Sequence, residues 1–375
     1  TLAGPNVPYG DDKWLKEHGC SQSTYGWRGD LFGFPHLYNV ERAKPDGVWS
    51  ADWALKNADG LHFRLTVPSA DAGEVVVCDG KSPAGASPYE MKWVLMHNQG
   101  EAPVRTQVAS VMELYRGEPV IRRIGPIGPM GPDEPGSPAY GVVVELANGR
   151  TDTIFASADP AVTRTAPGGF EFAGRFGLFS EQDGKPTQVV LVGGTKLTKN
   201  GLGITTDSAE YRAKITAVAR DTETITVSPP PPSSDALVGN YVFLTNPARR
   251  LAYKVLEAKT VANGAELRLE FDSRVGTGKV TGHADHGVLT STPFQFSRLR
   301  YYHGARLVNA DGTAEYRIID VRDRAIIDPE AHPEVPTGKL QAEFPLDSWF
   351  DVCDYGVGDE VVSPNAVSVT LAHNR

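Results

Sequence analysis

Short apolar runs separated by turn residues follow one another along most of the chain, which is the pattern of β-strands rather than of long helices. The runs are rich in valine, isoleucine and threonine, residues that favour strands. Clear examples are Leu61–Val67, Glu74–Cys78, Val104–Met112 and Gly141–Leu146. One stretch, Asp11–His18, has helical spacing instead. The pattern therefore predicts an all-β protein with a short helix near its beginning.

Four dipeptides of asparagine or aspartate followed by glycine lie between apolar runs. Such pairs accept the positive φ angles of tight two-residue turns and are the strongest local signal for a β-hairpin. The four pairs are Asn148-Gly149, Asp183-Gly184, Asn263-Gly264 and Asp311-Gly312. We expect a hairpin at each of them.

A polyproline stretch, Ser228–Ser234, interrupts a group of five short strand patterns. It is read either as a ligand for an aromatic groove or as a stiff connector, and its position between strands favours the connector. The five patterns are Ala213–Ala219, Thr224–Val227, Tyr241–Leu244, Ala252–Leu256 and Glu266–Phe271. We expect them to close a small barrel of about 70 residues, in the strand spacing usual for small all-β units.

These patterns together predict an antiparallel β-sandwich or supersandwich with a small inserted β-barrel. The expected organisation is a connector with a short helix over residues 1–30, a first part of the sandwich over 31–204, the barrel over 205–280 and a second part of the sandwich over 281–375.

Composition limits the function classes. The 375 residues carry a formal net charge of −9, which is opposite to the broad basic surface of a nucleic-acid-binding protein. No apolar run approaches the roughly 20 residues of a membrane-spanning helix. The three cysteines, Cys20, Cys78 and Cys353, are too few for a disulfide framework or a structural zinc site, and we expect buried thiols, although one disulfide is compatible with the count.

Several segments resemble the carboxy-terminal β region of heparinase II/III-like proteins. They are Lys81-Ser-Pro-Ala-Gly85, Pro88–His97, Gln107–Pro119, Tyr301–Arg306 and Trp349–Asp359, so the resemblance covers most of the chain. It implies a β-sandwich that follows an α/α toroid and an acidic, uronate-containing polysaccharide cleaved by β-elimination. It also implies an extracellular or periplasmic location.

The resemblance does not transfer a catalytic set to this chain. The toroid, which carries the family's usual Asn, Tyr and first His positions, has no counterpart here and would have to come from the same precursor or another chain. Ala51-Asp52-Trp53 stands where many relatives carry a histidine-aspartate-aromatic sequence. Alanine cannot replace a metal ligand or a base that titrates near neutrality. We therefore expect no elimination by this chain alone, and leave its catalytic residues unassigned.

Two groups of residues are candidate metal ligands. His283, Asp285 and His286 offer three ligand side chains within four residues for a divalent metal such as zinc, and a polar turn is the alternative. Acidic residues near the carboxy terminus offer oxygen ligands for calcium, although their spacing fits no EF-hand and solvated strand ends are the alternative. These acids are Asp347, Asp351, Asp354, Asp359 and Glu360.

The densest mixture of arginine and aromatic residues predicts an acidic-glycan surface. Arginine forks onto a carboxylate or sulfate, and an aromatic ring stacks on a sugar face. The alternative is a sandwich strand with Phe294, Phe296, Arg298 and Arg300 on one face. The candidate substrate-binding residues are Arg298, Arg300, Tyr301, Tyr302 and His303.

Four tryptophans, Trp14, Trp27, Trp49 and Trp53, are read either as a sugar platform or as packing against a neighbouring element such as the toroid, and packing is favoured. The leading functional hypothesis is the β portion of a heparinase II/III-like protein that binds or acts on acidic polysaccharide. The alternative is a non-catalytic carbohydrate-binding or structural cell-surface protein. Both are compatible with an oligomer.

Overall fold

The computed structural model describes residues 16–17, 21–23, 26–28, 37–68, 73–81, 90–102, 104, 106–132, 138–292, 294, 300–321 and 324–371. The fold is almost all β, with 58% strand and one complete α-helix among the described residues. The strands pair antiparallel in every sheet. The predicted all-β antiparallel fold is confirmed. None of the described helical segments is long and apolar enough to cross a lipid bilayer.

The described residues form two compact units. The first unit contains the chain up to Leu191 together with Thr195–Thr205 and residues 367–371. The second unit contains Val192–Gly194 and Thr206–Ala366.

The first unit is built from eighteen described strands in several sheets. In chain order they are β1 (Ser21–Ser23), β2 (Gly26–Arg28), β3 (Leu37–Ala43), β4 (Trp49–Ala54), β5 (Leu61–Val67), β6 (Glu74–Lys81), β7 (Glu90–His97), β8 (Val111–Arg116), β9 (Ile121–Pro126), β10 (Ala139–Leu146), β11 (Arg150–Ser157), β12 (Arg164–Ala166), β13 (Phe170–Ala173), β14 (Phe176–Gln182), β15 (Lys185–Val192), β16 (Lys196–Lys199) and β17 (Leu202–Thr205), followed near the end of the chain by β30 (Ala366–Thr370).

These strands form two three-stranded sheets, ordered β3-β6-β7 and β4-β5-β8, a six-stranded sheet ordered β30-β15-β14-β11-β10-β9, a four-stranded sheet ordered β12-β13-β16-β17 and the β1-β2 pair. The largest core of this unit is aromatic: the rings of Phe155, Phe170, Phe172 and Phe179 contact one another at centroid distances of 5.2 to 5.4 Å. The strand pattern places these phenylalanines inward because alternate residues of a strand share a face.

The second unit contains the remaining strands and the helix. In chain order they are β18 (Glu210–Ala219), β19 (Thr224–Ser228), β20 (Tyr241–Asn246), β21 (Arg249–Val261), β22 (Gly264–Leu269), β23 (Arg274–Ala284), β24 (Gly287–Thr290), β25 (Arg306–Asn309), β26 (Glu315–Val321), β27 (Arg324–Ile327), α1 (Thr337–Glu343), β28 (Trp349–Cys353) and β29 (Glu360–Pro364). A short 3-10 turn covers Asp235–Leu237.

Two closed six-stranded barrels make up this unit, each around its own apolar core. The first barrel has the order β18-β19-β22-β21-β20-β29 and contains all five strands that the sequence predicted for a small barrel, but these five do not close it by themselves. A sixth strand from near the carboxy terminus, β29, closes it by pairing with both β18 and β20. The polyproline stretch connects β19 to β20.

The second barrel has the order β23-β24-β27-β26-β25-β28 and occupies a region in which the sequence predicts sandwich strands. It closes because β28 pairs on one side with β23 and on the other with β25. We refer to the boundary between the first and second barrels as the seam. The chain crosses the seam between β22 and β23 and again between β28 and β29.

The four predicted hairpins are all present. They join β10 to β11, β14 to β15, β21 to β22 and β25 to β26. Asp183 and Asn263 both adopt positive φ, as do the glycines at 149, 184 and 312. The turn dipeptides therefore fixed these connections through local backbone geometry.

Two strand predictions differ from the structure. Val104–Met112 was expected to be one strand, but β8 begins only at Val111, and the described residues before it are irregular. The residues from 300 to 303, which the alternative reading of the arginine-rich segment placed in a strand, form a turn. Of the predicted helix Asp11–His18, only Lys16 and Glu17 are described, and both are helical.

Candidate functional site

The predicted metal ligands His283, Asp285 and His286 lie at the β23–β24 hairpin. A ring nitrogen of His283, Nε2, lies 2.7 Å from the carbonyl oxygen of Phe344, and a carboxylate oxygen of Asp285 accepts a hydrogen bond from the Thr337 hydroxyl at 3.3 Å. His286 adopts a positive φ of 51° in the turn. His283 and Asp285 thus have different partners, and the buried Nδ1 of His286 has no hydrogen-bond partner among the described residues. The three side chains do not form a metal-binding group, which is the arrangement of a polar turn.

The acidic residues near the carboxy terminus each face a basic partner. Asp347 pairs with Lys279 at 2.8 Å, and Asp351 lies 3.6 Å from Arg274. The remaining three partners are Arg249 for Asp354, Arg306 for Asp359 and Arg212 for Glu360. Within the part of the chain that the structure describes, no group of three or more histidine, cysteine, aspartate or glutamate side chains is placed to hold a metal ion.

The predicted substrate-binding residues lie in the turn before β25, except Arg298, which is outside the described residues. Arg300 is exposed and adopts a φ of 52°, and the ring of Tyr301 is also exposed. Tyr302 differs from its neighbours because it is only 5% exposed and packs edge-on against Phe294 in the core of the second barrel. Its ring is therefore covered by protein, and the solvent-facing members are Arg300, Tyr301 and the half-buried His303.

One further arginine comes to this turn from the first barrel. Arg249 donates a hydrogen bond to the carbonyl oxygen of Tyr301 and holds its guanidinium 5.3 Å from the centre of the Tyr301 ring. Arg250 is exposed, and its guanidinium lies 4.3 Å from the centre of the Phe243 ring. Arg250 therefore lies on the face of β21 opposite to Arg249. We call the four residues Arg249, Arg300, Tyr301 and His303 the basic turn surface.

Buried charged side chains tie the two barrels together behind this surface. Arg249 also pairs with Asp354, which accepts a hydrogen bond of 2.6 Å from the hydroxyl of Tyr253. Burial and the hydrogen bond to this carboxylate both raise the pKa of Tyr253, which therefore stays protonated and remains a donor. Because Asp354 balances Arg249, the uncompensated positive charge of the basic turn surface, among the described residues, comes from Arg300.

A cavity of about 590 Å³ opens at the seam. Its lining includes the charged side chains of Arg220, Arg306, Glu315, Asp221 and Asp311, together with His332. Arg220 donates a hydrogen bond of 2.7 Å to Glu315, and Arg306 pairs with the buried Asp359. Both guanidinium charges are thus offset by carboxylates at the cavity wall, so this cavity is polar without being a strong anion site.

A second polar cluster lies on the sheet β4-β5-β8 of the first unit. One carboxylate oxygen of Asp52 lies 2.8 Å from Nδ1 of His62, and the other accepts a 2.5 Å hydrogen bond from the Tyr115 hydroxyl. Burial raises the pKa of Asp52, but the hydrogen bonds and the positive charges of His62 and Arg64 outweigh it, so the net pKa is lowered. The carboxylate is therefore ionised, and it orients the imidazole of His62.

The structure describes Cys78 in the first unit and Cys353 in the second. Both thiols are free and buried, as the sequence predicted. Burial raises the pKa of both thiols, to about 11 for Cys353. Neither has the lowered pKa of a catalytic cysteine. Cys20 and Trp14 lie outside the described residues.

Comparison of the chain with family models, with curated proteins and with solved structures gives no match.

Sequence reasoning found Arg300, Tyr301 and His303 but missed Arg249. This arginine follows the turn between β20 and β21, about fifty residues earlier in the chain, and nothing in the local pattern links the two segments. The predicted barrel is the sequence signal that bears on this contact, because the turn between β20 and β21 lies at an end of the barrel, where another segment can pack against it. The partner of that turn is decided by packing of the two barrels.

Proposed function

We propose that this chain is the β-rich portion of a heparinase II/III-like protein and binds acidic, uronate-containing polysaccharide. The observation that supports this most is the basic turn surface, where arginines from two separate segments meet an exposed tyrosine ring. A guanidinium presents paired donors that match a carboxylate, and a tyrosine ring offers an apolar face to a sugar. This combination suits a uronate unit better than it suits a neutral sugar.

The proposed binding depends on local rather than overall charge. The chain carries −9 in total, so a polyanion is repelled at long range and attracted only near the exposed guanidinium groups. Interactions of this kind are screened within about 8 Å at physiological ionic strength. Affinity for an acidic glycan should therefore fall steeply as salt is raised.

Elimination chemistry belongs to the same proposal but needs more than this chain. Abstraction of the proton beside a uronate carboxylate requires a base within hydrogen-bond reach and groups that neutralise the carboxylate. We infer that an α/α toroid, on the same precursor or on another chain, supplies the missing part. The proposal also places the protein outside the cytoplasm, where acidic polysaccharides are found in such systems.

Calorimetry with alginate, polygalacturonate and hyaluronate tests the binding proposal on the full chain. The variant Arg300→Ala should lower affinity for the glycan that binds by at least tenfold. The matched control is Arg122→Ala, which removes the same charge from an exposed position on β9. Equal affinity of both variants would refute the basic turn surface as the site.

Absorbance of the unsaturated sugar tests the catalytic part. We expect no product when the chain alone is incubated with these glycans, and product only when a toroid domain is present. Turnover by the chain alone would contradict the need for a toroid. It would direct attention to the Asp52–His62 pair, the described imidazole that a carboxylate orients on an exposed sheet face.

A further inference from the structure

A groove of about 360 Å³ lies in the first unit, far along the sequence from the basic turn surface. Its volume falls within the range of about 300 to 1,000 Å³ that is usual for small-ligand sites. One wall comes from strand β4, and the opposite wall comes from strands β3 and β6. In the β3–β6 pair, Glu41 lies opposite Val77 and Ala43 opposite Val75, so these four side chains share one face of their sheet.

The wall from β4 carries two indoles with a small residue between them. Trp49, Ala51 and Trp53 alternate with exposed residues and therefore point to the same side of the strand. At the usual rise of about 3.3 Å per residue in a strand, the Cα atoms of the two tryptophans are about 13 Å apart. Ala51 leaves space between them, in the position where a larger side chain would fill the groove. Trp53 is held in place by stacking on Phe63 at a centroid distance of 5.9 Å.

The unpaired indole N–H of Trp49 indicates that the groove binds a ligand. Its nitrogen, Nε1, is buried, and it has no hydrogen-bond partner among the described residues. Buried donors are nearly always paired, and an exception calls for an explanation such as an absent ligand or water. Trp49 lines the groove, so an oxygen atom of a bound molecule is a suitable acceptor.

The charged groups of the groove set the kind of ligand. Glu41 contributes a carboxylate to the groove face. Arg42 and Asp52 also border the groove, but each alternates with the residues that share this face. Arg42 donates a 2.8 Å hydrogen bond to Glu74, and both carboxylate oxygens of Asp52 are engaged by His62 and Tyr115. The groove face therefore carries a negative charge and is unsuited to a polyanion. Carboxylates accept hydrogen bonds from hydroxyl groups, and indoles cover apolar C–H surface.

We propose that this groove binds neutral hexose units of an oligosaccharide. A pyranose ring has an apolar C–H face for the indoles and hydroxyl groups at its edge for Glu41 and the Trp49 N–H. The site is separate from the acidic-glycan surface and does not depend on it. Under this proposal the first unit binds uncharged sugar, whereas the proposed function of the second unit is to bind charged sugar.

Calorimetric titration of the full chain with cellohexaose, mannohexaose and maltohexaose tests this proposal, with hexagalacturonate as the charged comparison. At least one neutral hexasaccharide should bind. Ala51→Phe, which fills the groove, should weaken that binding at least tenfold. The matched control is Ala54→Phe, the same change at an exposed position of the same strand that does not line the groove.

A second variant keeps the test valid if Ala51→Phe disturbs folding. Trp49→Phe retains an aromatic ring but removes the N–H, so binding should weaken several-fold while the circular dichroism spectrum stays unchanged. The proposal is overturned if no neutral hexasaccharide binds at millimolar concentration, if hexagalacturonate alone binds, or if neither groove variant differs from Ala54→Phe. Arg300→Ala should leave neutral-sugar binding unchanged, which separates this proposal from the preceding one.

Discussion

The guanidinium of Arg306, at the start of β25, pairs with the carboxylate of Asp359, just before β29, at a point where the two side chains are only 5% and 1% exposed. Asp359 also accepts hydrogen bonds from the amide of Asn246 at 3.3 Å and from the backbone N–H of Gly356 at 3.1 Å. The same Asn246 amide donates to the carbonyl oxygen of Gly304. One buried carboxylate therefore joins both barrels of the second unit.

Removing one member of this pair should be far more harmful than removing both. Asp359→Ala leaves the Arg306 charge buried without its partner, and we expect a loss of about 3–5 kcal/mol in the free energy of unfolding. The double variant Arg306→Leu with Asp359→Leu should lose less than the sum of the single variants. Urea denaturation of the four proteins in this cycle measures the coupling. A loss below about 1 kcal/mol for Asp359→Ala would contradict the role of the pair.

Stability should fall as pH decreases through the titration of His332. Burial, followed by the nearby charges of Arg306 and Arg317, lowers the pKa of this imidazole below its ordinary value of 6.5. Its Nε2 accepts the backbone N–H of Arg317 at 2.8 Å, which requires the neutral ring.

The direction of this pH dependence follows from the lowered pKa of His332. The unfolded chain takes up the His332 proton at higher pH than the folded chain, so the contribution is fully present above about 6.5 and is lost as pH falls below it. Urea denaturation at pH 7.5 and 5.5 should show this decrease. His332→Gln, whose amide oxygen can accept the same N–H, should reduce the difference between the two pH values. An unchanged pH dependence in this variant would contradict the assignment.

A methyl group at Gly356 should destabilise the seam. A Cβ atom there would collide with Oε1 of Glu315 and lie 2.9 Å from Cγ of Arg306, both of which are held by ion pairs. We expect Gly356→Ala to cost about 1–3 kcal/mol, as overpacking of a tight site does.

The matched control for this substitution is Gly338→Ala in helix α1. A Cβ at Gly338 meets no atom within 4 Å, and alanine favours a helix over glycine by about 0.5–1 kcal/mol. Thermal unfolding should therefore move in opposite directions for the two variants. A decrease for Gly338→Ala, or no change for Gly356→Ala, would contradict the description of the seam.

The buried thiols should resist modification in the folded protein. Cys353 is 1% exposed, and burial raises its pKa to about 11, so little thiolate forms at pH 8. Cys78 is equally buried and its pKa is also raised. In a Cys20→Ser variant, an aromatic disulfide reagent should label no thiol in the native state and two after unfolding in urea. Rapid labelling of the native variant would show that one of these sites is open.

Local signals in the sequence determined the hairpins and most strands. Asn263-Gly264 and Asp183-Gly184 specify their turns because the backbone angles they accept are set within the dipeptide itself. The five strands between Glu210 and Leu269 were also predictable, because each is a short β-branched run between turn residues that pairs with strands nearby in sequence. For the same reason the all-β class followed from the pattern alone.

Only the tertiary structure decided how distant segments close and what they bury. β29 pairs with β18 across about 150 residues, and no local pattern encodes that partner. Asp354 and Asp359 read as solvated strand-end acids or calcium ligands, yet both lie buried against arginines from other strands. Tyr302 reads as part of a surface, yet it packs into a barrel core beside the exposed Tyr301. The physical reason is that burial and ion pairing depend on which strands meet, and long-range strand pairing is a property of the whole chain.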